Sequence, residues 1–154
     1  MGKIVPMISS GVAGPLGVLH LPRFWQKMSL GAAGKLHDDY PACGAGYDQM
    51  TLDALGLDRD TTLSYVNDNK PSYFEFEAWV KEKMNPDADI GAHNDAVAGY
   101  IHTDETRAEI FGAAGLTDDS CTARDAVNLN NADDWTIFHP VSYTPLTLPT
   151  IYSV

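Results

Sequence analysis

What most constrains this chain is its punctuation: short apolar runs at three- and four-residue spacing, each opened by a capping residue and closed by glycine or proline. Ser72 and Glu75 have the spacing of a capping box, in which two side chains satisfy orphan N–H groups of a first helical turn. That run buries Phe76, Trp79 and Val80, places Lys81 and Lys83 near its C-terminus, and stops at Asn85-Pro86. Asp58 caps a run with Leu63 and Val66. Thr103 caps another with Asp104 and Glu105 in its first turn, Ile110 and Phe111 inward, and Gly115 at its end. Asp48 is placed to cap a run through Met50, Leu52 and Leu55 that Gly56 closes. No segment alternates with the period of two that a half-buried strand needs. The pattern predicts an all-α fold, a single compact domain of about six or seven short helices with a glycine-rich N-terminal loop.

The other helices follow from periodicity. Leu21, Trp25, Met28 and Ala32 step as one buried face behind Pro22, with Gly34 as the stop. Arg23 and Lys27 fall on a different face, where Lys27 is expected to stay solvated. Ile90, Val97 and Ile101 form a weaker stripe. Thr117 to Ser120 is expected to open a short helix, and the run from Asn128 to Phe138 to be asparagine-capped, with Trp135 and Phe138 packing back. At 154 residues the chain can bury one core, expected to unite Trp25, Leu52, Leu55, Trp79, Ile110, Phe111 and Trp135. The stretches that begin AGY at Ala45 and Ala98 are faintly alike, and helix-stop-cap grammar alone produces much of that likeness.

Charge is unevenly placed. The net charge of -11 makes nucleic acid a poor partner, yet residues 1–36 hold Lys3, Arg23, Lys27 and Lys35 and not one of the 21 acids. No window is apolar enough to span a membrane, and no charged n-region precedes an apolar run, so a cytoplasmic protein is expected. Pro6 stands where a myristoylation signal after Gly2 wants Ser or Thr. Cys43 and Cys121 lack a CxxC pattern and read as two reduced thiols or a single disulfide.

Candidate chemistry concentrates between Gly11 and Asp48. Gly11, Gly14 and Gly17 lead into His20-Leu21-Pro22-Arg23 and a helix start, a geometry that can present backbone N–H groups to an anion. The segment lacks GKS or GKT and misses the dinucleotide spacing, so it reads as a structural loop or a simple anion cradle. His20 reads as a general base, the one catalytic candidate, or as a histidine that bonds a nearby carbonyl. Arg23 reads as a clamp for a carboxylate or phosphate, or as a salt-bridge partner of Asp48 or another loop acid. The residues expected to hold a ligand are Arg23, Lys27, Tyr47, Asp48, Gly14 and Gly17. No metal site is assigned: His37-Asp38-Asp39, His93 with Asp95 and His102 with Asp104 lack ligand spacing. No cofactor is implied, and Ser9, Ser10 and Cys43 lack an elbow motif or a flanking base.

HLPR at His20 to Arg23, Lys27, the AG before Lys35, GYD at Gly46 to Asp48, and LGLD at Leu55 to Asp58 carry a resemblance. Trp79, ETR at Glu105 to Arg107 and DAVNLNNADDW at Asp125 to Trp135 extend it. Over roughly Ile4 to His139 the chain resembles a bacterial family known only as a domain of unknown function, the one numbered fifty sixty-nine. The resemblance implies a small cytosolic helical domain, and no reaction, cofactor or catalytic residue. The last fourteen residues, VSYTPLTLPTIYSV, are uncharged and resemble the translation of a sequencing-library adapter. A domain over 1–140 with a non-native tail over 141–154 is therefore expected, the alternative being an extended arm.

Two functions are consistent with these residues. One is a binder or enzyme for a small carboxylate- or phosphate-bearing molecule, at the meeting of the glycine loop, the His20–Lys27 helix start and the Tyr40–Asp48 loop. The other is a non-catalytic module whose basic face docks an acidic protein partner. A cleft with Arg23 and His20 in it would favour the first, and a flat apolar patch near Phe24 and Trp25 the second. The anion expectation rests on an exposed basic segment, and it weakens if Asp38, Asp39 or Asp48 neutralises that segment from within.

Overall fold

Seven α-helices and no β-strand make up residues 3–143, the part of the chain that the computed structural model describes. They are α1 (Leu21–Ala32), α2 (Tyr47–Leu55), α3 (Arg59–Asn69), α4 (Tyr73–Lys83), α5 (Ile90–Gly99), α6 (Asp104–Ala114) and α7 (Ala126–Ser142). Most boundaries lie where the caps require. Asp58 accepts from Thr61 N–H, Thr103 from Thr106 N–H, and Ser72 and Glu75 form the full reciprocal box. Gly56 and Gly115 close α2 and α6 in the left-handed region, with φ of 69° and 71°.

Three boundaries differ from expectation. The N-cap of α2 is Gly46, with no capping side chain, because the Asp48 carboxylate is engaged elsewhere. Thr117 to Ser120 closes into a turn instead of a helix: Ser120 Oγ accepts from Thr117 N–H, and Ser120 N–H donates to Thr117 O. The cap of α7 is Asp125, which accepts from Asn128 N–H and leaves the asparagine at the third helical position. Tyr47 opens α2 whereas Tyr100 closes α5, so the two AGY stretches have different places in the fold.

The core is divided. Leu21, Phe24 and Met28 of α1 meet Leu52, Leu55, Val66, Phe76 and Val80, with Trp25 and Trp79 packed at the margin. Each such burial stabilises by about 1.5–3 kcal/mol. Ile110, Phe111 and Leu129 form a second, smaller cluster between α6 and α7. The seven residues expected in one core are thus split, and Trp135 is 61% exposed. Its position explains the miss: six residues beyond Leu129 is about 120° round the helix from the buried side. Phe138 and Ile101 are likewise exposed.

α1 packs against α3 and α4, α5 against α2 and α7, and α6 against α7. Single backbone bridges pair Ile4 with Leu36 and Ile101 with Asp125. No helix among the described residues is long and apolar enough to cross a membrane. Both cysteines are free thiols. Of the segment expected to be a tail, Val141 and Ser142 complete α7 and Tyr143 is its C-cap, while 144–154 lie outside the described residues.

Candidate functional site

His20, at the N-cap of α1, has φ of 72°, a left-handed conformation that costs a non-glycine residue about 1–2 kcal/mol. It makes no capping bond; its ring turns inward between Phe24 and Tyr47. Nε2 lies 2.6 Å from Asp48 Oδ1, and Nδ1 lies 2.9 Å from Ser10 Oγ. All three residues are buried, at 2% exposure each.

Seven residues on, the same side of α1 presents Lys27, whose Nζ lies 2.5 Å from Asp48 Oδ2. The backbone N–H of Gly44 donates to that oxygen as well. Burial works against the charge of Asp48, but the bond from His20, the Lys27 ammonium and the Gly44 amide outweigh it and hold the carboxyl below its ordinary value. Burial also dominates at His20, pushing its pKa below 6.5 against the pull of Asp48, with Lys27 and Arg23 adding to the fall. A neutral imidazole beside an ionised carboxylate follows: Nε2–H donates to Asp48, and the Nδ1 lone pair accepts from the Ser10 hydroxyl. This tautomer is assigned from the network.

Between His20 and Lys27, Arg23 makes a two-pronged pair with Asp134 of α7, Nη1 to Oδ2 at 2.7 Å and Nη2 to Oδ1 at 2.9 Å. Its Nη1 also donates to Pro6 O and Ile8 O, and Tyr40 Oη donates to Asp134 Oδ1 at 2.8 Å. Burial and the Asp134 charge raise the Tyr40 phenol far above its usual value.

Above these two networks opens a cleft of about 660 Å³, bordered by α1, the 39–46 loop, α2, Tyr100, His102 and the first turns of α7. His20, Arg23, Lys27, Tyr47 and Asp48 all line it. Five carboxylates do too: Asp39, Asp48, Asp53, Asp133 and Asp134. Burial first, then the charges of Asp134 and Asp39, raise the Asp133 carboxyl pKa. Tyr47 donates to Val97 O at 2.6 Å, and its phenol is pushed up to about 12, chiefly by burial.

No family model matches the chain. A search of curated proteins finds no match either.

Several expectations change. Lys27 is buried, because a buried Asp48 requires a countercharge. Arg23 takes Asp134 as its partner and neither Asp48 nor the loop acids, since Asp48 is already saturated. His20 bonds side chains; the histidine that meets a backbone carbonyl is His93, 3.0 Å from Leu19 O. Gly14 and Gly17 do not line the cleft. The glycine loop closes on a carboxylate of the protein itself: Leu16 N–H donates to Glu77 Oε1, and Tyr73 Oη to Glu77 Oε2. A Cβ at Gly14 would come within 2.5 Å of both Glu77 and Tyr73, so glycine is required there for close approach. Asn94 fastens the loop from the other side, donating to Gly17 O and accepting from Leu19 N–H. Among the described residues no group of three or more His, Cys, Asp or Glu is arranged to hold a metal ion.

Sequence reasoning set Ser10 aside for want of a flanking base, which the fold supplies in His20, named Tyr40 only as the start of the ligand loop, and missed Asp133 and Asp134. A signal for Asp134 was present: bases confined to an acid-free stretch need carboxylates from elsewhere if the helix carrying them is buried. Nothing in the sequence marks Ser10 over Ser9.

Proposed function

We propose that the cleft binds a small polar molecule and that His20 acts on it as a general base. One observation carries this reading: a buried, neutral imidazole, its tautomer fixed by an ionised carboxylate, at the floor of a cleft of ligand size. That Phe24 is buried and Trp25 donates its indole N–H to Pro71 O supports the cleft over a docking surface at that place.

The ligand we propose is uncharged or cationic. Arg23 and Lys27, the cations expected to grip an anion, are each occupied by a carboxylate of the chain, while Asp39, Asp53 and Asp133 add negative charge to the walls. The same acidity, with the net charge of -11, argues against nucleic acid. A second reading keeps the carboxylate- or phosphate-bearing ligand, favoured by the uncapped first turn of α2, whose Gly46 to Gln49 border the cleft. Free Cys43 and Cys121 support a reducing compartment, the cytoplasm. The residues that carry the resemblance to family fifty sixty-nine include His20, Arg23, Lys27, Asp48, Asp133 and Asp134, which supports kinship as part of the same proposal.

A thermal-shift screen tests the reading, with small amines, amides and sugars set against phosphates and carboxylates. Stabilisation by neutral or cationic compounds, weakened by Asp133→Asn, is expected under mass action. Stabilisation by anions alone would transfer the proposal to the second reading, and none by any class would sink both.

A further inference from the structure

We propose that Ser10 is a nucleophile and that the cleft cleaves small uncharged esters, with His20 as base and Asp48 as the positioning residue. The proposal rests on the cleft reading above and gives it a reaction. Ser10, His20 and Asp48 come from three separate stretches and meet as a linear relay, 2.9 Å and 2.6 Å between successive atoms. All three also line the cleft. A serine in a loop commonly satisfies a backbone group, as half-buried Ser9 does by accepting from Gly11 N–H. Ser10 does not do this: among the described residues its hydroxyl has His20 as its one hydrogen-bond partner.

The chemistry follows from the protonation states. Ser10 Oγ attacks the ester carbonyl carbon as its proton passes to His20 Nδ1, and the carbonyl π pair moves onto oxygen. Collapse of this intermediate breaks the bond to the alcohol oxygen, which leaves with the proton from Nδ1. Water then attacks the acyl-Ser10 carbonyl, gives a proton to Nδ1, and releases the acid as that proton returns to Ser10 Oγ. Ester and water become acid and alcohol with no further reactant. Asp48 receives Nε2–H throughout, and its other oxygen is pinned by Lys27 and Gly44, so the ring is held with Nδ1 toward the serine. The first turn of α2 opens without a capping side chain and borders the same cleft, and in this proposal its backbone N–H groups meet the negative charge that develops on the carbonyl oxygen. An uncharged ester suits the acidic walls, and the transient anion suits the helix end.

The test uses the full chain and a fluorophosphonate, followed by intact-mass measurement and peptide mapping, beside p-nitrophenyl acetate hydrolysis. One adduct is expected, on Ser10, with a labelling rate that rises with pH to a midpoint below 6.5 and is then flat. Ser10→Ala should abolish labelling and reduce ester hydrolysis by about 100-fold or more. Asp48→Asn removes the charge that raises the His20 pKa and leaves Lys27, which lowers it, so its labelling midpoint should move down. An unchanged midpoint would overturn the positioning role. No adduct, an adduct elsewhere, or Ser10→Ala at the wild-type rate would overturn the nucleophile, and mapping of the wild type decides this even if a variant fails to fold. Ligand stabilisation in the screen without labelling leaves the cleft reading standing and removes only Ser10. Labelling of Ser10 without ligand stabilisation keeps the nucleophile and removes the amines, amides and sugars as ligands of the cleft.

Discussion

His20 is buried as a neutral base, which makes acid the natural stress on this protein. The sign follows from linkage. An unfolded His20 takes up a proton near pH 6.5, whereas the folded one resists until lower pH, so stability falls as pH drops below 6.5. Asp48 adds a second loss as pH falls below 3.8, since its folded carboxyl stays ionised to lower pH than the unfolded one. Melting temperature should therefore decline from pH 7 to pH 5, and His20→Gln should flatten that decline; an equal slope in both proteins would contradict the assignment. Arg23 gives a second test at this scale. Arg23→Met leaves Asp134 buried with Tyr40 as its remaining donor side chain, and should cost about 3–5 kcal/mol in urea unfolding. Arg23→Met/Asp134→Leu, which removes both charges, should recover much of that loss.

Helix α1 carries two parallel stripes one residue apart: Leu21, Phe24 and Met28 in the apolar core, and His20, Arg23 and Lys27 in the buried polar networks. Both have the three-then-four spacing of a helix face. Periodicity exposes Leu21 and Met28 of the first stripe but puts Trp25, which packs at the margin, in the place that buried Phe24 takes. It misassigns the second, because a run of bases at that spacing resembles a solvated face until its partners are known. Those partners, Asp48 and Asp134, lie 21 and 111 positions away, beyond the reach of any pattern within one element. The caps of α3, α4 and α6 were legible for the opposite reason, since a capping bond closes within three residues. Ser72→Ala should cost about 1 kcal/mol by thermal melting, through loss of that local bond. Gly14→Ala should cost about 1–3 kcal/mol, because the new methyl group meets Glu77 and Tyr73, which are bonded to each other at 2.6 Å.

The molecule as a whole rests on two apolar clusters, and the Arg23–Asp134 pair links α1 of the first to α7 of the second. The all-α class was readable from the caps, but the division of the core was not: helix pairing decides which apolar faces meet, and pairing is set by tertiary contacts. The division is measurable. Leu129→Ala should destabilise by about 2–5 kcal/mol, whereas Trp135→Ala, six residues further along α7, should change stability by less than about 0.5 kcal/mol. Comparable losses from both would show that the exposed indole is buried in solution.

The partnership of Arg23 with Asp134 also sets a schedule for synthesis. Ser10, His20, Lys27 and Asp48 leave the ribosome within the first third of the chain, so the relay and its countercharge can assemble early. Arg23 emerges with them but waits 111 residues for its carboxylate. Until α7 arrives, that guanidinium lacks its carboxylate, and burying it is unfavourable. A nascent chain stalled before α7 thus carries the chemical groups without the wall that encloses them, and α7 completes the cleft last.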